Sequence, residues 1–339
     1  MLGFKAHIIL GAVVLLCWSG CLADLPRDNP MDPRSDQYAP QGRVEGIVTR
    51  QYPPYPPLAG VLVYLWPETD TIAQGRTARS NTAGRFVFSE VPPGRYRLWV
   101  QAAGYRALQD TQYVEVISNQ TLTLNVRLNA LPYFATYMLT TVHISRWWPQ
   151  SDLYRLEVEA QVIDPDDLRD VMRVWLEIPA LQFSDTLQST QPAGRFFTII
   201  PAEALPLPSL HALIGYDLYL GALDRNGDTV HTSALRLSRI IDAVPTALEP
   251  RGLAVVDTTQ PLLRWERLDM PFPFTYRIDV VRREADLDIP VVTLENLSAT
   301  RDSVRIPQPL ASGVYYWTVS LVDAFGNRSR SKEAGFQVP

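Results

Sequence analysis

Lysine, cysteine and histidine are scarce in this chain. Lys5 and Lys332 are the only lysines, so nearly all of the 31 positive side chains are Arg, and the formal net charge is −5. No basic patch gathers anywhere, which argues against a nucleic-acid partner, because a phosphate backbone demands clustered positive charge. The two cysteines are Cys17 and Cys21. The body that follows them therefore has no disulfide framework and relies on apolar cores, which 339 residues can supply. After His7, only His143, His211 and His231 are placed to exchange protons near neutrality, and none has the spacing of a metal pair. The His-Glu-x-x-His pattern, the Gly-x-Ser-x-Gly elbow, the phosphate loop and the dinucleotide fingerprint are all missing. The expectation is a non-enzymatic protein without a cofactor. Carboxylates meeting across a fold leave an unrecognised hydrolase as the enzymatic alternative.

Long apolar helical periods are also missing beyond the first residues, while Pro is abundant at 28. Short alternating runs separated by turn residues predict an all-β protein. The expected organisation is a signal segment at 1–20, a tether at 21–41, and three tandem β-sandwiches at 42–131, 132–243 and 244–339.

The N-terminus reads as an address. Lys5 precedes an apolar run, Ile8 to Leu16, too short to cross a bilayer. The run ends in Cys17-Trp18-Ser19-Gly20-Cys21, which resembles the lipobox of bacterial lipoproteins, with Trp18 where Leu, Val or Ile is usual. The resemblance implies lipid on Cys21 and a membrane partner through that lipid; the alternative is a plain secretory signal cleaved nearby. Each acyl CH₂ buried contributes about 0.8 kcal/mol. Residues 22–41 are rich in Pro and Asp and reach roughly 60 Å if extended. Asp is absent directly after Cys21, which in enterobacterial lipoproteins resembles outer-membrane sorting. The expected location is thus the bacterial cell envelope, at the outer membrane.

In the first module, Asn81 to Tyr105 holds two alternating runs. Phe86 and Phe88 share one face, as do Tyr96, Leu98 and Val100, and Pro92-Pro93-Gly94 lies between the runs. This predicts a β-hairpin. Around it stand Gly42-Arg43-Val44-Glu45-Gly46, Pro57-Leu58-Ala59-Gly60-Val61, Thr82-Ala83-Gly84-Arg85-Phe86, Val91-Pro92-Pro93-Gly94-Arg95-Tyr96 and Gly104-Tyr105. In this order the five motifs resemble the carboxypeptidase regulatory-like family, a transthyretin-like sandwich. That family is similar in fold to starch-binding domains, so the resemblance implies carbohydrate as a ligand class.

In the second module, Leu156, Val158, Ala160 and Val162 point in while Arg155, Glu157, Glu159 and Gln161 point out, as in a half-solvated strand. A short helix is expected at Pro201 to Leu205. The module resembles bacterial immunoglobulin-like domains. The third module carries Trp265 on an early strand and Gly313-Val314-Tyr315-Tyr316-Trp317 on a late one, and resembles a fibronectin type III domain.

Two sets of residues are candidates for binding. Trp147 and Trp148 are adjacent and in an extended segment would point to opposite faces, one into the core. Tyr52 and Tyr55 stand on a Pro-rich loop. Sugar rings stack on exposed aromatics; the alternative is contact between modules or loop packing. The second set is Asp164, Asp166, Asp167 and Asp170 at a strand end. Several carboxylates in one loop suit calcium. Because their spacing departs from an EF-hand, the favoured reading is a solvated turn in which Asp bonds its own backbone. The function expected is display of β-sandwiches that bind carbohydrate or cell-wall glycan. The alternative is an envelope protein that scaffolds or adheres to other proteins, by strand addition or through module faces.

Overall fold

The computed structural model describes residues 32, 34, 35, 38, 40–68, 75–106, 112–285 and 287–339. Cys21 and the signal segment lie outside these residues, as does most of the tether. The chain divides into two compact units, Met1–Ala130 and Leu131–Pro339.

The first unit holds β1 (Gly42–Arg50), β2 (Leu62–Pro67), β3 (Arg76–Arg79), β4 (Arg85–Val91), β5 (Gly94–Gln101), β6 (Gln112–Val116) and β7 (Thr121–Leu128). They form two sheets, ordered β4-β1-β7 and β3-β2-β5-β6, with β1 and β7 parallel. Every second residue turns inward, so Val44, Val48, Val63, Leu65, Phe86, Phe88, Leu98 and Val100 meet in one core. Gly46 sits mid-strand where a Cβ would stand 2.3 Å from the Leu124 carbonyl and 2.7 Å from the Phe86 ring. The close approach of Phe86 therefore requires glycine there.

The expected hairpin is not formed. β4 pairs with β1, whereas β5 pairs with β2 and β6, so the two runs lie in different sheets. Pro92 and Pro93 have no N–H to close a ladder, and the chain crosses between sheets instead. The Tyr96 hydroxyl fastens that crossing by donating to the Pro92 carbonyl at 2.9 Å.

The second unit begins with β8 (Tyr133–Ile144), β9 (Leu153–Ile163), β10 (Val171–Ile178), β11 (Phe183–Thr190), β12 (Arg195–Pro201), β13 (Tyr219–Asp224) and β14 (Thr229–His231). The first part of β11 pairs with β10 and its last three residues with β12, so this strand passes from one sheet to the other over a core of Leu156, Val158, Val174, Leu176 and Leu220. The helix expected at 201–205 is one 3₁₀ turn, Ala202–Ala204. There follow β15 (Ala247–Glu249), β16 (Ala254–Val255), β17 (Leu262–Trp265), β18 (Phe274–Glu284), β19 (Leu287–Ser298), β20 (Ser303–Arg305), β21 (Gly313–Asp323), β22 (Arg328–Arg330) and β23 (Ala334–Val338). Trp265, Tyr276, Trp317 and Phe336 fill their core. Tyr315 donates to the Ala311 carbonyl at 2.8 Å. The Gly-x-Tyr that follows the turn thus serves alike at Gly94 and Gly313.

The modules at 132–243 and 244–339 share one hydrogen-bonded sheet, because β22 pairs with β21 on one side and, in parallel, with β8 on the other. Polar groups line this joint. Asn327 Oδ1 accepts from the Thr141 N–H at 2.9 Å, and the Ser329 hydroxyl donates to the Ala243 carbonyl at 2.6 Å. Glu157, expected to face solvent, is buried. Arg328 of β22 covers it, with Nη2 2.8 Å from each of its carboxylate oxygens, and Arg155 donates to it at 2.5 Å. The outward phase of β9 is therefore solvated only where β22 does not reach.

Candidate functional site

The same alternation that buries Val63, Leu65, Leu98 and Val100 turns Tyr64, Trp66, Arg97 and Trp99 onto the outer face of the four-stranded sheet. Tyr64 and Trp99 are direct cross-strand partners. Their rings stack with centroids 4.9 Å apart, and Trp66 meets Trp99 edge-on at 6.2 Å. Such pairs hold each other in place by about 1 kcal/mol beyond the area they bury. Gly75 gives Trp66 its room, since a Cβ there would lie 2.6 Å from the indole Nε1. On β6, Tyr113 is half exposed beneath the Arg95 guanidinium, 5.1 Å from its centroid. The result is an outward-facing cluster of stacked and edge-on rings next to Arg97. Of Tyr64, Trp66 and Trp99 the last is the most exposed, at 38%, and an exposed ring of this kind suits contact with the C–H face of a sugar ring with polar groups at its margin.

Of the aromatics singled out from sequence, Tyr52 and Tyr55 belong to the first unit and Trp147 and Trp148 to the second. Neither tryptophan enters a core, with exposures of 64% and 84%. The segment between β8 and β9 is a series of bends, so alternation between faces does not apply to it. Trp147 donates from Nε1 to the Glu333 carbonyl at 2.8 Å, and Lys332 stands over its ring at 4.7 Å. Trp147 is thus a strap within the second unit, and Trp148 is the freer of the two. Tyr55 is 38% exposed and lies under Arg127, 4.3 Å from its ring centroid. Tyr52 is half buried, and its carbonyl accepts from the Tyr55 N–H at 2.8 Å. The outward phase of β2 and β5 was the signal that locates the better aromatic surface.

At the other candidate, the turn after β9 and the 3₁₀ turn Leu168–Asp170 bring Asp164, Asp166 and Asp170 together, one carboxylate oxygen from each lying within 4.8 Å of the others. Asp167 stays outside, capping the 3₁₀ turn by accepting from the Arg169 N–H at 2.7 Å. Asp164 and Asp170 are buried, which departs from a solvated turn. So is Asp224 in the neighbouring β13–β14 turn, whose Arg225 N–H donates to the Asp170 carbonyl at 3.0 Å. At such separations, with an effective dielectric of about 20, two full negative charges repel by roughly 3 kcal/mol. Burial pushes the Asp164 carboxyl up to about 6; the Asp166 N–H opposes this, and the charges of Asp170, Asp166 and Asp224 reinforce it.

That shift fixes a pH dependence. The folded value lies above the unfolded one, so the proton favours the fold. The contribution is complete below about pH 4 and is lost as pH rises through 6. In chelator-containing buffer this carboxyl is expected to remove roughly 2 kcal/mol of stability between pH 4 and 7. Asp164→Asn should flatten that part of the profile. Urea midpoints at the two pH values check it, and an unchanged difference in the variant would refute it.

Comparison with known proteins places the first unit. Residues 43–129 match the carboxypeptidase regulatory-like domain. This regulatory-like domain spans β1 to β7, and its core holds Phe86, Phe88 and Tyr96 from the motifs that carry the sequence resemblance. No curated protein matches the chain. Among solved structures, BcpA, the major pilin subunit of Bacillus cereus, is similar at 10% identity and a TM-score of 0.33, covering 85% of this chain and 91% of its own. The FN1–FN3 domains of chicken CNTN1 give 12%, 0.30, 88% and 98%, and a DUF3823 family protein from Parabacteroides merdae gives 15%, 0.24, 59% and 100%. Likenesses this low carry no functional argument. The aromatic surface of the regulatory-like domain rests on its own geometry.

Proposed function

We propose that this chain is a non-enzymatic lipoprotein of the bacterial envelope that binds carbohydrate or cell-wall glycan on the outer face of its regulatory-like domain. The observation that carries the reading is the Tyr64–Trp66–Trp99 surface, which faces outward although the core beneath is complete without it. Aromatic side chains held on strands lose little freedom on binding, so each stacked sugar ring retains most of its contact energy.

Trp99→Ala removes the central ring. Binding to soluble polysaccharides and to peptidoglycan, followed by affinity electrophoresis and pull-down, is expected to weaken about 10-fold or more. Trp148→Ala is expected to bind like the parent. A parent chain that binds no glycan while one envelope protein co-purifies from detergent extract would replace this reading with protein scaffolding.

Attachment follows from the N-terminal motif. Among the described residues, no helix is long and apolar enough to cross a membrane. Lipid on Cys21 supplies the attachment, so Cys21→Ser is expected to move most of the protein from the membrane fraction to the soluble fraction; unchanged partition would reject the anchor.

A further inference from the structure

We infer that the two turns at one end of the second unit's first sandwich form a calcium site, with Asp164, Asp166 and Asp170 each giving a carboxylate oxygen to one ion. Calcium takes oxygen ligands at about 2.3–2.6 Å, so two ligands on opposite sides of one ion stand at most about 5 Å apart. Three oxygens all within 4.8 Å of one another meet that condition. All-oxygen donors with more than two negative charges select a hard dication over zinc.

Proximity of acids alone is common. A second observation separates this cluster from a charged turn: Asp164 is 5% exposed, and its Oδ2 has no hydrogen-bond partner. Its Oδ1 is held by the Asp166 N–H at 2.8 Å, which leaves Oδ2 without a donor in a carboxylate that contributes to the cluster. A buried carboxylate oxygen without a donor is costly, and a cation supplies what it lacks. The architecture is suited to the task. Asp164 directly follows β9, Asp170 closes the 3₁₀ turn directly before β10 and Asp224 ends β13, so the strand ends hold these carboxylates in place. Val171 pairs with Asp224, which sets the fourth negative charge beside the other three. This inference is independent of the glycan surface, which lies in the other unit.

The test is thermal unfolding and equilibrium dialysis of the purified chain in chelator, in 10 mM calcium chloride, and in magnesium chloride and sodium chloride at matched ionic strength. With the affinity of about 10⁻⁴–10⁻³ M usual for extracellular modules, the transition of the second unit should rise by about 3–10 °C in calcium. Asp164→Asn should remove the shift. Should that variant not fold, Asp166→Asn, at a half-exposed position, should fold and weaken calcium binding about 10-fold or more. No bound calcium, a calcium affinity and shift undiminished in Asp166→Asn, or an equal response to magnesium would overturn the assignment.

Discussion

Asp323→Ala is expected to destabilise the second unit by about 3–5 kcal/mol, because it strips the charge from a site that many donors share. The Asp323 side chain has no exposure and accepts from Arg239 Nη1 at 3.0 Å, from the Phe325 N–H at 2.9 Å, and from both the backbone and the side-chain amide of Asn327 at 3.0 Å. Asn327 in turn presents Oδ1 to the Thr141 N–H of β8. Removing Asp323 therefore leaves Arg239 without its partner and releases the residue that carries the hydrogen bond across the joint. Urea denaturation measures the loss. A double-mutant cycle with Arg239→Ala separates the ion pair from the rest; because Arg239 is partly solvated and rests on the Phe272 ring, its share is expected to be the smaller one. A loss below about 1 kcal/mol would mean that the joint is held elsewhere.

Trp317→Ala is expected to cost about 4 kcal/mol or more. Truncating a buried tryptophan typically costs 3–5 kcal/mol through lost contacts and the cavity left behind, about 3 kcal/mol at the least. Trp317 has no exposure, and its Nε1 donates to the Pro250 carbonyl at 2.9 Å within the core, so the substitution also strands a buried acceptor. Trp317→Phe keeps a ring but loses the hydrogen bond, and should cost about half as much. Against a stability of about 5–15 kcal/mol for a typical domain, the alanine variant approaches unfolding. Loss of near-ultraviolet dichroism at 37 °C with retained chain length reads the effect; a midpoint close to that of the parent would refute it.

Strand phase was the most legible feature of this sequence, because alternation is local: Tyr96, Leu98 and Val100 of β5 and Tyr276, Ile278 and Val280 of β18 all turn inward as expected. Pairing was less legible. A short Pro-Gly connection looks the same whether the chain folds back within a sheet or crosses to the opposite one, and the choice at Pro92 is made by Val44 and Val63 far along the chain. β22 was invisible for a different reason. Arg328, Ser329 and Arg330 carry no apolar side chain to mark a strand, yet Ser329 is fully buried where β22 pairs with β8 of the preceding module. The same contact hides Glu157. The acidic cluster was named from sequence, but its closure depends on the 3₁₀ turn that returns Asp170 to Asp164, and spacing alone does not encode that. With the aromatics, the loop residues drew notice because loops carry binding groups, while Tyr64, Trp66 and Trp99 sat in the outward phase of strands whose inward phase was already clear.

The parallel alignment of β8 and β22 has a mechanical consequence. β23 runs the same way as β22, since both oppose β21, so β8 and β23 point in one direction. The chain enters this unit at the tail of β8 and leaves it at the head of β23. Tension between those two ends slides the strands past one another, and the rungs of the ladders must yield together instead of opening one at a time.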